Sequence, residues 1–479
     1  MSNQFVYANL PATITQPIKK SQIHKEPLMA SHLPKNIAKR LSLSAPSSYA
    51  SGHEFYDAKI ELLDETGKKI IYKHQVNPRH HYTLSSMGPV NQTLNNIWFF
   101  RPDGTDQEFE NDWDFDKCTA ENPCKQITQK LVDEIHARAP AARLWVAPGT
   151  YNAPYVIQQK LHPQLLELHH KQNIMGRTND FKHFAYGKDR PLFLGTLSWS
   201  DYTYHEGISA TVENIRVHTS NNKAQAGDTF VNTNLYSTGD LNLDNCSLVN
   251  SSAHPGTNIY AQNVNAYQSS LKGLGPLVIN IYTDDNIMIQ NSILKVKGSH
   301  VSSLSTLSGE IVAFNSRFIV ENESCYTNAI VSKGNQIYIH SSRFNIHSDG
   351  ECEIASRTTA LVVSSYTKDP YRPSWFFIND SKIKVYSKYG QAIGIMSSKL
   401  DLTLSNSKIK VQSFQSAAIG VATDSTIEFE NKPSYLTVSS PVSADLFFDM
   451  DGFDSLKLLN NSNPHSQCVL NDTKEDCHL

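Results

Sequence analysis

A ten-residue pattern recurs six times in the second half of the chain and constrains its fold more than any other feature. The pattern reads apolar, any, apolar, any, Asn/Ser/Asp, small polar, any, apolar, any, apolar, as in Ile287–Val296 and Ile311–Val320. Alternation at period two places one set of side chains on one face of a strand, and the polar pair interrupts that strand. Each copy therefore predicts a strand, a tight bend and a second strand. The bends fall at Asn245, Asn291, Asn315, Ser341, Asp380 and Asn406.

The spacing of these bends predicts a coil of stacked turns. Subtracting successive residue numbers gives steps of 46, 24, 26, 39 and 26. Steps of about 25 residues, with one double step and one insertion, are typical of a solenoid. A second apolar pattern recurs between the copies and raises the count to three strands per turn; it starts at Ala329, Ala360, Ala392 and Ala418.

The fold class follows from this spacing. Sandwiches and barrels also use short alternating strands, but they do not require the same bend residues at a fixed offset. We therefore predict an all-β fold, a parallel β-helix, and a right-handed one because parallel crossovers overwhelmingly take that hand.

The bend residues suit such a coil. Asn tolerates the left-handed backbone conformation of a sharp corner, and its amide can bond to the equivalent amide one turn away. The Ser or Cys that follows it is small enough for a crowded corner.

Composition limits the partners that we expect. The net charge of −3 gives no general basic field, so we do not expect the chain to bind nucleic acid. No run approaches the eighteen or so apolar residues of a membrane-spanning helix, so no transmembrane segment is predicted in this chain. Met1–Lys20 also lacks the apolar core of a signal peptide.

The seven cysteines favour an oxidising compartment. Six of them form three local pairs that could be disulfides, and Cys246 is left in the small position beside the Asn245 bend. A cytosolic chain with reduced thiols is the alternative. The spacings lack a paired Cys-x-x-Cys and have no His cluster beside them, so we expect neither a metal site nor a cofactor. The disulfide candidates are Cys118 with Cys124, Cys325 with Cys352, and Cys468 with Cys477.

Four segments are predicted along the chain. Residues 1–52 indicate a disordered basic tail or linker, and residues 53–95 a hairpin and linker. Residues 96–440 form the β-helix, and an amphipathic helix near residues 125–138 covers its first turn. Residues 441–479 are expected to cap the C-terminal end.

Five blocks between residues 70 and 200 resemble a known family. They are Asn77–His81, Asn96–Gly104, Cys118–Cys124, Leu144–Asn152, and Gly176–Phe181 followed by Asp189–Pro191. Together they resemble the passenger region of inverse-autotransporter-like β-helix surface proteins of Legionella and related intracellular bacteria. The block at Leu144–Asn152 taken alone is common in pectate-lyase-like β-helices. The resemblance implies an exported bacterial protein, extracellular, at the cell surface or periplasmic, and it brings no catalytic residues. Where the family has a membrane barrel, this sequence has one hairpin.

Two classes of function remain open. The first is an adhesin-like module, non-catalytic, that binds glycans or a host surface. Its weak binding candidates are a basic stripe of Arg317, Arg343, Lys382 and Lys408, for which an ordinary solvated ladder is the alternative, and Tyr371 and Trp375 in an insertion, which could equally pack on the coil.

The second class is a carbohydrate-active enzyme, either a lyase or a glycoside hydrolase. Such a hydrolase needs paired carboxylates. Asp284–Asp285 is the adjacent acidic pair before a strand of the coil, although a plain turn accounts for it as well. We predict no catalytic residue and favour the binding module.

Overall fold

The structure is a computed structural model. The residues that it describes are 56–63, 69–76, 97–106, 117–139, 142–152, 155–157, 160–162, 165–169, 172–199, 209–219, 233–251, 256–332, 336–350, 357–363, 374–397, 400–423, 426–429, 433–449, 457–459 and 466–475.

The described residues are nearly all β-strand, with one α-helix, α1, at Gln129–Arg138 and a 3-10 turn at Gly187–Asp189. The first strands are β1 Tyr56–Leu63, β2 Lys69–Val76, β3 Ile97–Thr105, β4 Arg143–Val146, β5 Thr150–Asn152, β6 Tyr155–Ile157, β7 Lys160–His162, β8 Leu165–Leu168, β9 Asn173–Gly176, β10 Leu192–Leu194, β11 Thr196–Trp199, β12 Ser209–Glu213, β13 Arg216–Thr219, β14 Thr233–Ser237, β15 Asp240–Asp244, β16 Ser247–Ser251, β17 Gly256–Ala261, β18 Asn263–Tyr267 and β19 Ser270–Leu274. The remaining strands are β20 Leu277–Thr283, β21 Ile287–Gln290, β22 Ile293–Thr306, β23 Glu310–Phe314, β24 Arg317–Ser332, β25 Gln336–His340, β26 Arg343–Ser348, β27 Arg357–Val363, β28 Ser374–Asn379, β29 Lys382–Ser387, β30 Gln391–Ser397, β31 Leu400–Ser405, β32 Lys408–Ser413, β33 Ala418–Thr423, β34 Thr426–Phe429, β35 Tyr435–Ser439, β36 Ala444–Asp449, β37 Lys457–Leu459, β38 Gln467–Leu470 and β39 Thr473–Glu475.

Strand pairing confirms the predicted parallel β-helix. The chain divides into two compact units, one of Met1–Val249 with Ala261–Ser270 and one of Asn250–Tyr260 with Leu271–Leu479. In the first unit β10, β11 and β12 pair in parallel with β13, β14 and β15. In the second, β28, β29 and β30 pair in parallel with β31, β32 and β33. In these turns each strand pairs with the third strand after it, so a turn contains three strands.

Parallel pairing also continues past residue 440, where the sequence analysis ended the coil. Strand β36 pairs with β33, β37 with β34 and β38 with β35. The chain then reverses, and β39 pairs antiparallel with β38.

The bends have the predicted left-handed backbone. Their φ angles lie between 46° and 50° at Asn245, Asn291, Asn315, Ser341, Asp380 and Asn406. In the second unit Asn315 donates its side-chain amide to Asn291 Oδ1 at 2.8 Å, and Asn406 donates to Asp380 Oδ1. The motif missed the bends at Asn214, with φ 53°, and at Gln268, with φ 49°, and Gln268 divides the double step between Asn245 and Asn291.

The serines beside the bends form a ladder of their own in the second unit. The backbone N–H of Ser292 donates to Ser316 Oγ, that of Ser316 to Ser342 Oγ, and that of Ser342 to Ser381 Oγ, each at 3.1 Å. The bonds continue through Ser407 and Ser434. Small size was the predicted reason for serine here, and the hydroxyl adds an acceptor for a buried N–H.

The N-terminal elements match the sequence prediction. Strands β1 and β2 form the antiparallel hairpin. Helix α1 begins after Thr128, whose hydroxyl accepts from the N–H of Leu131, and it buries Leu131, Val132 and Ile135. It starts four residues later than the predicted residue 125. No helix among the described residues is long and apolar enough to cross a membrane.

The structure confirms one predicted cysteine pair and describes one member of another. Cys118 and Cys124 form a disulfide, and Cys468 is disulfide-bonded. Cys246 is a buried free thiol whose Sγ donates to the carbonyl of Val212. Its pKa is raised to about 12, chiefly by burial. The side chain of Cys325, together with Cys352 and Cys477, lies outside the described residues.

Two carboxyl groups are buried on neighbouring strands of the first unit. Glu213 of β12 is the register partner of Asp244 of β15. Burial raises the pKa of Asp244 to about 7, and burial together with the Asp244 charge raises that of Glu213 to about 8. The guanidinium of Arg177 opposes the shift at Glu213 and lies 4.0 Å from the centroid of the Trp145 ring. These carboxyl groups are therefore held in the protonated form at neutral pH or near it.

Candidate functional site

The four residues of the predicted basic stripe lie in one column of the second unit. Arg317 pairs in register with Arg343, Arg343 with Lys382, and Lys382 with Lys408. Adjacent parallel strands are about 4.8 Å apart, so the four cations are stacked at that spacing. The structure therefore brings together all four stripe residues.

Alternation along each strand determines which way the side chains of this column point. The next residue on each strand is a buried apolar one, namely Phe318, Phe344, Ile383 or Ile409. The rings of Phe318 and Phe344 stack with centroids 4.3 Å apart. Because successive side chains point to opposite faces, burial of these residues turns the cations outward. Lys382 and Lys408 are exposed, whereas Arg317 is only 9% exposed.

A second basic column, which the sequence analysis missed, runs beside the first. Lys384 pairs in register with Lys410, and both are exposed. Each lies two residues from a lysine of the first column, which corresponds to about 6.6 Å along a strand. The signal was present in the repeated Ser-Lys-Ile-Lys-Val at Ser381–Val385 and Ser407–Val411. We call Arg317, Arg343, Lys382, Lys408, Lys384 and Lys410 the basic face.

The lysines of the basic face are not neutralised by carboxylates. Among the described residues none of its four lysines forms an ion pair, and the pKa of Lys382 is lowered by burial and then by neighbouring cations. Two lysines of β22, an earlier strand of the same sheet, differ. Lys295 Nζ lies 2.8 Å from Glu321 Oε1, and Lys297 Nζ lies 2.9 Å from Glu323 Oε1.

Aromatic side chains border the basic face. The ammonium of Lys408 lies 4.8 Å from the ring centroid of Tyr435, which follows it in the column. Tyr386, two residues after Lys384, stacks on His347 with centroids 4.6 Å apart. Cations next to partly exposed aromatic rings are suited to a ligand that carries both negative charge and flat ring surfaces.

Of the two aromatic candidates, the structure places only the backbone of Trp375, and it lies on a different sheet from the basic face. Tyr371 lies outside the described residues. The backbone of Trp375 pairs with Gln336 and Asp401 in the sheet that contains β28, whereas the basic face lies on the sheet that contains β29.

The acidic pair lies in a turn between strands. A plain turn was one of the two interpretations of this pair that the sequence left open. Asp284 and Asp285 lie between β20 and β21, and Ser308 Oγ donates to Asp285 Oδ1 at 2.8 Å. Burial and the charge of Asp285 raise the pKa of Asp284, and a hydrogen bond with Tyr260 opposes that shift. No group of three or more His, Cys, Asp or Glu that could hold a metal occurs in the described part of the chain.

Comparison with known proteins adds no assignment. No family model, no curated protein and no solved structure matches the chain. The arrangement itself can do one thing chemically. Its four lysines form a regular exposed array without ion pairs in the described part of the chain, which suits the binding of an extended polyanion.

Proposed function

We propose that this β-helix is an exported, non-catalytic module that binds acidic glycans along its basic face. The single observation that carries the proposal is the in-register array of Lys382, Lys384, Lys408 and Lys410, none of which has an ion-pair partner among the described residues. A polyanion that spans several turns would contact several cations at once, and it would relieve the repulsion between them.

The aromatic side chains beside the basic face favour an acidic glycan over other polyanions. Tyr435 and the stacked His347–Tyr386 pair offer ring faces within reach of the lysines. Sugar rings can pack on such faces while their carboxylate or sulfate groups meet the ammonium groups. The formal charge of the whole chain is slightly negative, so attraction would be confined to this surface rather than spread over the protein.

An exported setting is supported by the disulfide chemistry. The Cys118–Cys124 bond and the disulfide-bonded Cys468 suit an oxidising compartment. The resemblance to inverse-autotransporter-like passengers points the same way and carries the adhesin-like part of the proposal.

The test measures binding of heparin and of hyaluronan to immobilised protein across a range of salt concentrations. We expect the variant with glutamine at Lys382, Lys384, Lys408 and Lys410 to bind at least tenfold more weakly, with a smaller salt dependence. The matched control removes four exposed lysines of the first unit, Lys125, Lys130, Lys182 and Lys188, and should bind like the wild type.

Three outcomes would overturn the proposal. The first is equal loss in the control variant, and the second is binding that survives the loss of all four lysines. The third is binding of single-stranded DNA as tight as that of both glycans, because charge alone would then account for it.

An assay of polysaccharide turnover distinguishes the carbohydrate-active enzyme from the binding module. Polysaccharide cleavage that disappears in Asp284→Asn or Asp285→Asn would replace the non-catalytic proposal with the enzymatic one. Binding without cleavage, unaffected by these two changes, would support the module.

A further inference from the structure

The outward side of strand β32 continues from the basic face to an exposed aromatic residue. Lys408 and Lys410 are exposed, Gln412 is partly exposed, and the residues between them are buried. Phe414 follows in the same alternation and is 58% exposed. Its backbone N–H donates to the carbonyl of Ser387 at 3.0 Å, so the parallel ladder extends through Phe414. The ring therefore projects on the side of the two lysines, about 13 Å from Lys410 along the strand.

The next turn of the coil adds a second exposed apolar residue beside Phe414. The turn after β35 stacks on the turn after β32, because Ser440 Oγ donates to the carbonyl of Ser416 at 2.6 Å. Ser440 Oγ also accepts from the N–H of Val442 at 3.0 Å, which holds this turn in place. Val442 is 65% exposed. Phe414 and Val442 thus lie on neighbouring turns, and we call them the apolar ridge.

Exposed apolar side chains are concentrated in this part of the second unit. Six large apolar side chains are exposed in the described part of the chain, and Phe414, Tyr435 and Val442 are three of them. Tyr435 belongs to β35 and is the register partner of Lys408. Single exposed apolar residues are common on protein surfaces, whereas neighbouring ones indicate a site of interaction.

The charges beside the ridge decide which partner fits it. The four lysines of the basic face form no ion pair among the described residues. Asp349, two turns before Phe414, is already bound to His347 Nε2 at 2.7 Å. A second copy of the chain would bring lysines against lysines across a symmetric contact, which disfavours it. An anionic lipid surface offers phosphate groups to the lysines and an apolar interior to the ridge.

We propose that the basic face and the apolar ridge dock together on a membrane surface that carries anionic headgroups, with the ammonium groups at the headgroups and Phe414 and Val442 in the interface beneath them. This inference goes beyond glycan binding, because the proposed function needs the lysines and not the ridge. The two share the four lysines, so the ridge is what separates them in an experiment.

The test measures co-sedimentation of the full chain with vesicles made of equal parts of phosphatidylcholine and phosphatidylglycerol, and with vesicles of phosphatidylcholine alone. We expect the wild type to bind the mixed vesicles only. Phe414→Ser combined with Val442→Ser should weaken that binding at least tenfold, because two apolar side chains no longer leave water, and should leave heparin binding unchanged. The matched control, Leu277→Ser with Leu307→Ser, removes two other exposed apolar side chains and should bind the mixed vesicles like the wild type.

Phe414→Trp tests insertion directly. With mixed vesicles its fluorescence emission should shift to the blue by more than that of the wild type, because the added indole enters a less polar interface. Circular dichroism checks that every variant remains folded.

The inference is overturned if the serine pair binds mixed vesicles as tightly as the wild type, if the leucine control loses as much, or if the serine pair also loses heparin. Vesicle binding that survives the loss of the four lysines would overturn it as well. A wild type that binds heparin but no vesicles would end this inference and leave the glycan proposal standing. Vesicle binding without any glycan binding would do the reverse.

Discussion

The corner ladder of the second unit has a gap that predicts a stabilising pair of substitutions. Asn315 Oδ1 is buried and has no hydrogen-bond partner. The corner one turn further on is Ser341, which has no amide to donate. The next corner is Asp380, whose Oδ1 accepts from the amide of Asn406. Two corners without a side-chain amide therefore separate the two corner bonds of the second unit, in which Asn315 donates to Asn291 and Asn406 donates to Asp380.

The substitution Ser341→Asn alone should change stability little. Its new amide N–H can donate to Asn315 Oδ1, but its new carbonyl oxygen then faces the carboxylate of Asp380, which is acceptor-only when ionised. Adding Asp380→Asn supplies a donor for that oxygen and keeps an acceptor for Asn406. The left-handed backbone at both positions, with φ of 50°, suits asparagine.

The expected magnitude follows from the two bonds that form. Each amide bond contributes about 0.5 to 1.5 kcal/mol, so the double variant should be more stable than the wild type by about 1 to 3 kcal/mol. Because the second bond forms only when both substitutions are present, the coupling between them should be about 1 kcal/mol in favour of folding.

Urea unfolding of the wild type, both single variants and the double variant measures this coupling, provided that the m-value stays constant. Ser341→Ala is the control for loss of the hydroxyl alone. Additive effects of the two single substitutions, or a double variant less stable than the wild type, would refute the ladder as the source of corner stability.

Three further predictions concern other parts of the chain. Glu213 has a raised pKa in the folded protein, so its contribution to stability is present below pH 4.5 and is lost as the pH rises toward 8; between pH 5 and pH 8 Glu213 alone should lower the free energy of unfolding by at most about 1.4 kcal/mol per pH unit, and Glu213→Gln should remove that part of the fall and leave the part due to Asp244. Gly298→Ala places a Cβ 1.7 Å from the carbonyl oxygen of Gly275, so we expect a loss of at least about 2 kcal/mol in urea unfolding. Cys118→Ala opens a short disulfide loop and should cost about 2 kcal/mol, and thiol counting on protein from its native host should find fewer than seven free thiols.

The corners could be predicted from sequence because their chemistry is local. A left-handed residue between two strands needs Asn, Asp or a similarly tolerant residue, and this requirement recurs wherever the chain turns. Gln268 was missed because glutamine is an unusual choice for that backbone, although the double step of 46 residues indicated that a corner was there. The sequence did not predict that Glu213 and Asp244 are a buried pair. Both residues alternate with core residues along their strands, so they lie on the outer side of the sheet. Their burial depends on what covers the sheet there rather than on the strand itself.

Part of the basic face could also be predicted from the sequence, because the repeat is in register. A repeat in register converts any residue at a fixed offset into a column, so Arg317, Arg343, Lys382 and Lys408 were predicted to share a face. The column of Lys384 and Lys410 was missed because Ile319 and Asn345 occupy the same position on the two preceding strands, so the repeat shows no continuous row of cations there.

Stacking in register also brings like charges close together on the basic face, and their repulsion costs free energy. Two unit charges at about 5 Å repel each other by about 1 kcal/mol in water, and each lysine of the basic face has such a neighbour. On earlier turns glutamates offset this cost, as at Lys295 with Glu321. On the later turns the lysines form no ion pair among the described residues, and the pKa of Lys382 is lowered by burial and, to a smaller extent, by the neighbouring cations. A polyanion that bound to the basic face would offset this repulsion, so its binding would also stabilise the folded protein. Saturating heparin should therefore raise the unfolding temperature of the wild type, and it should not do so for the variant with four glutamines.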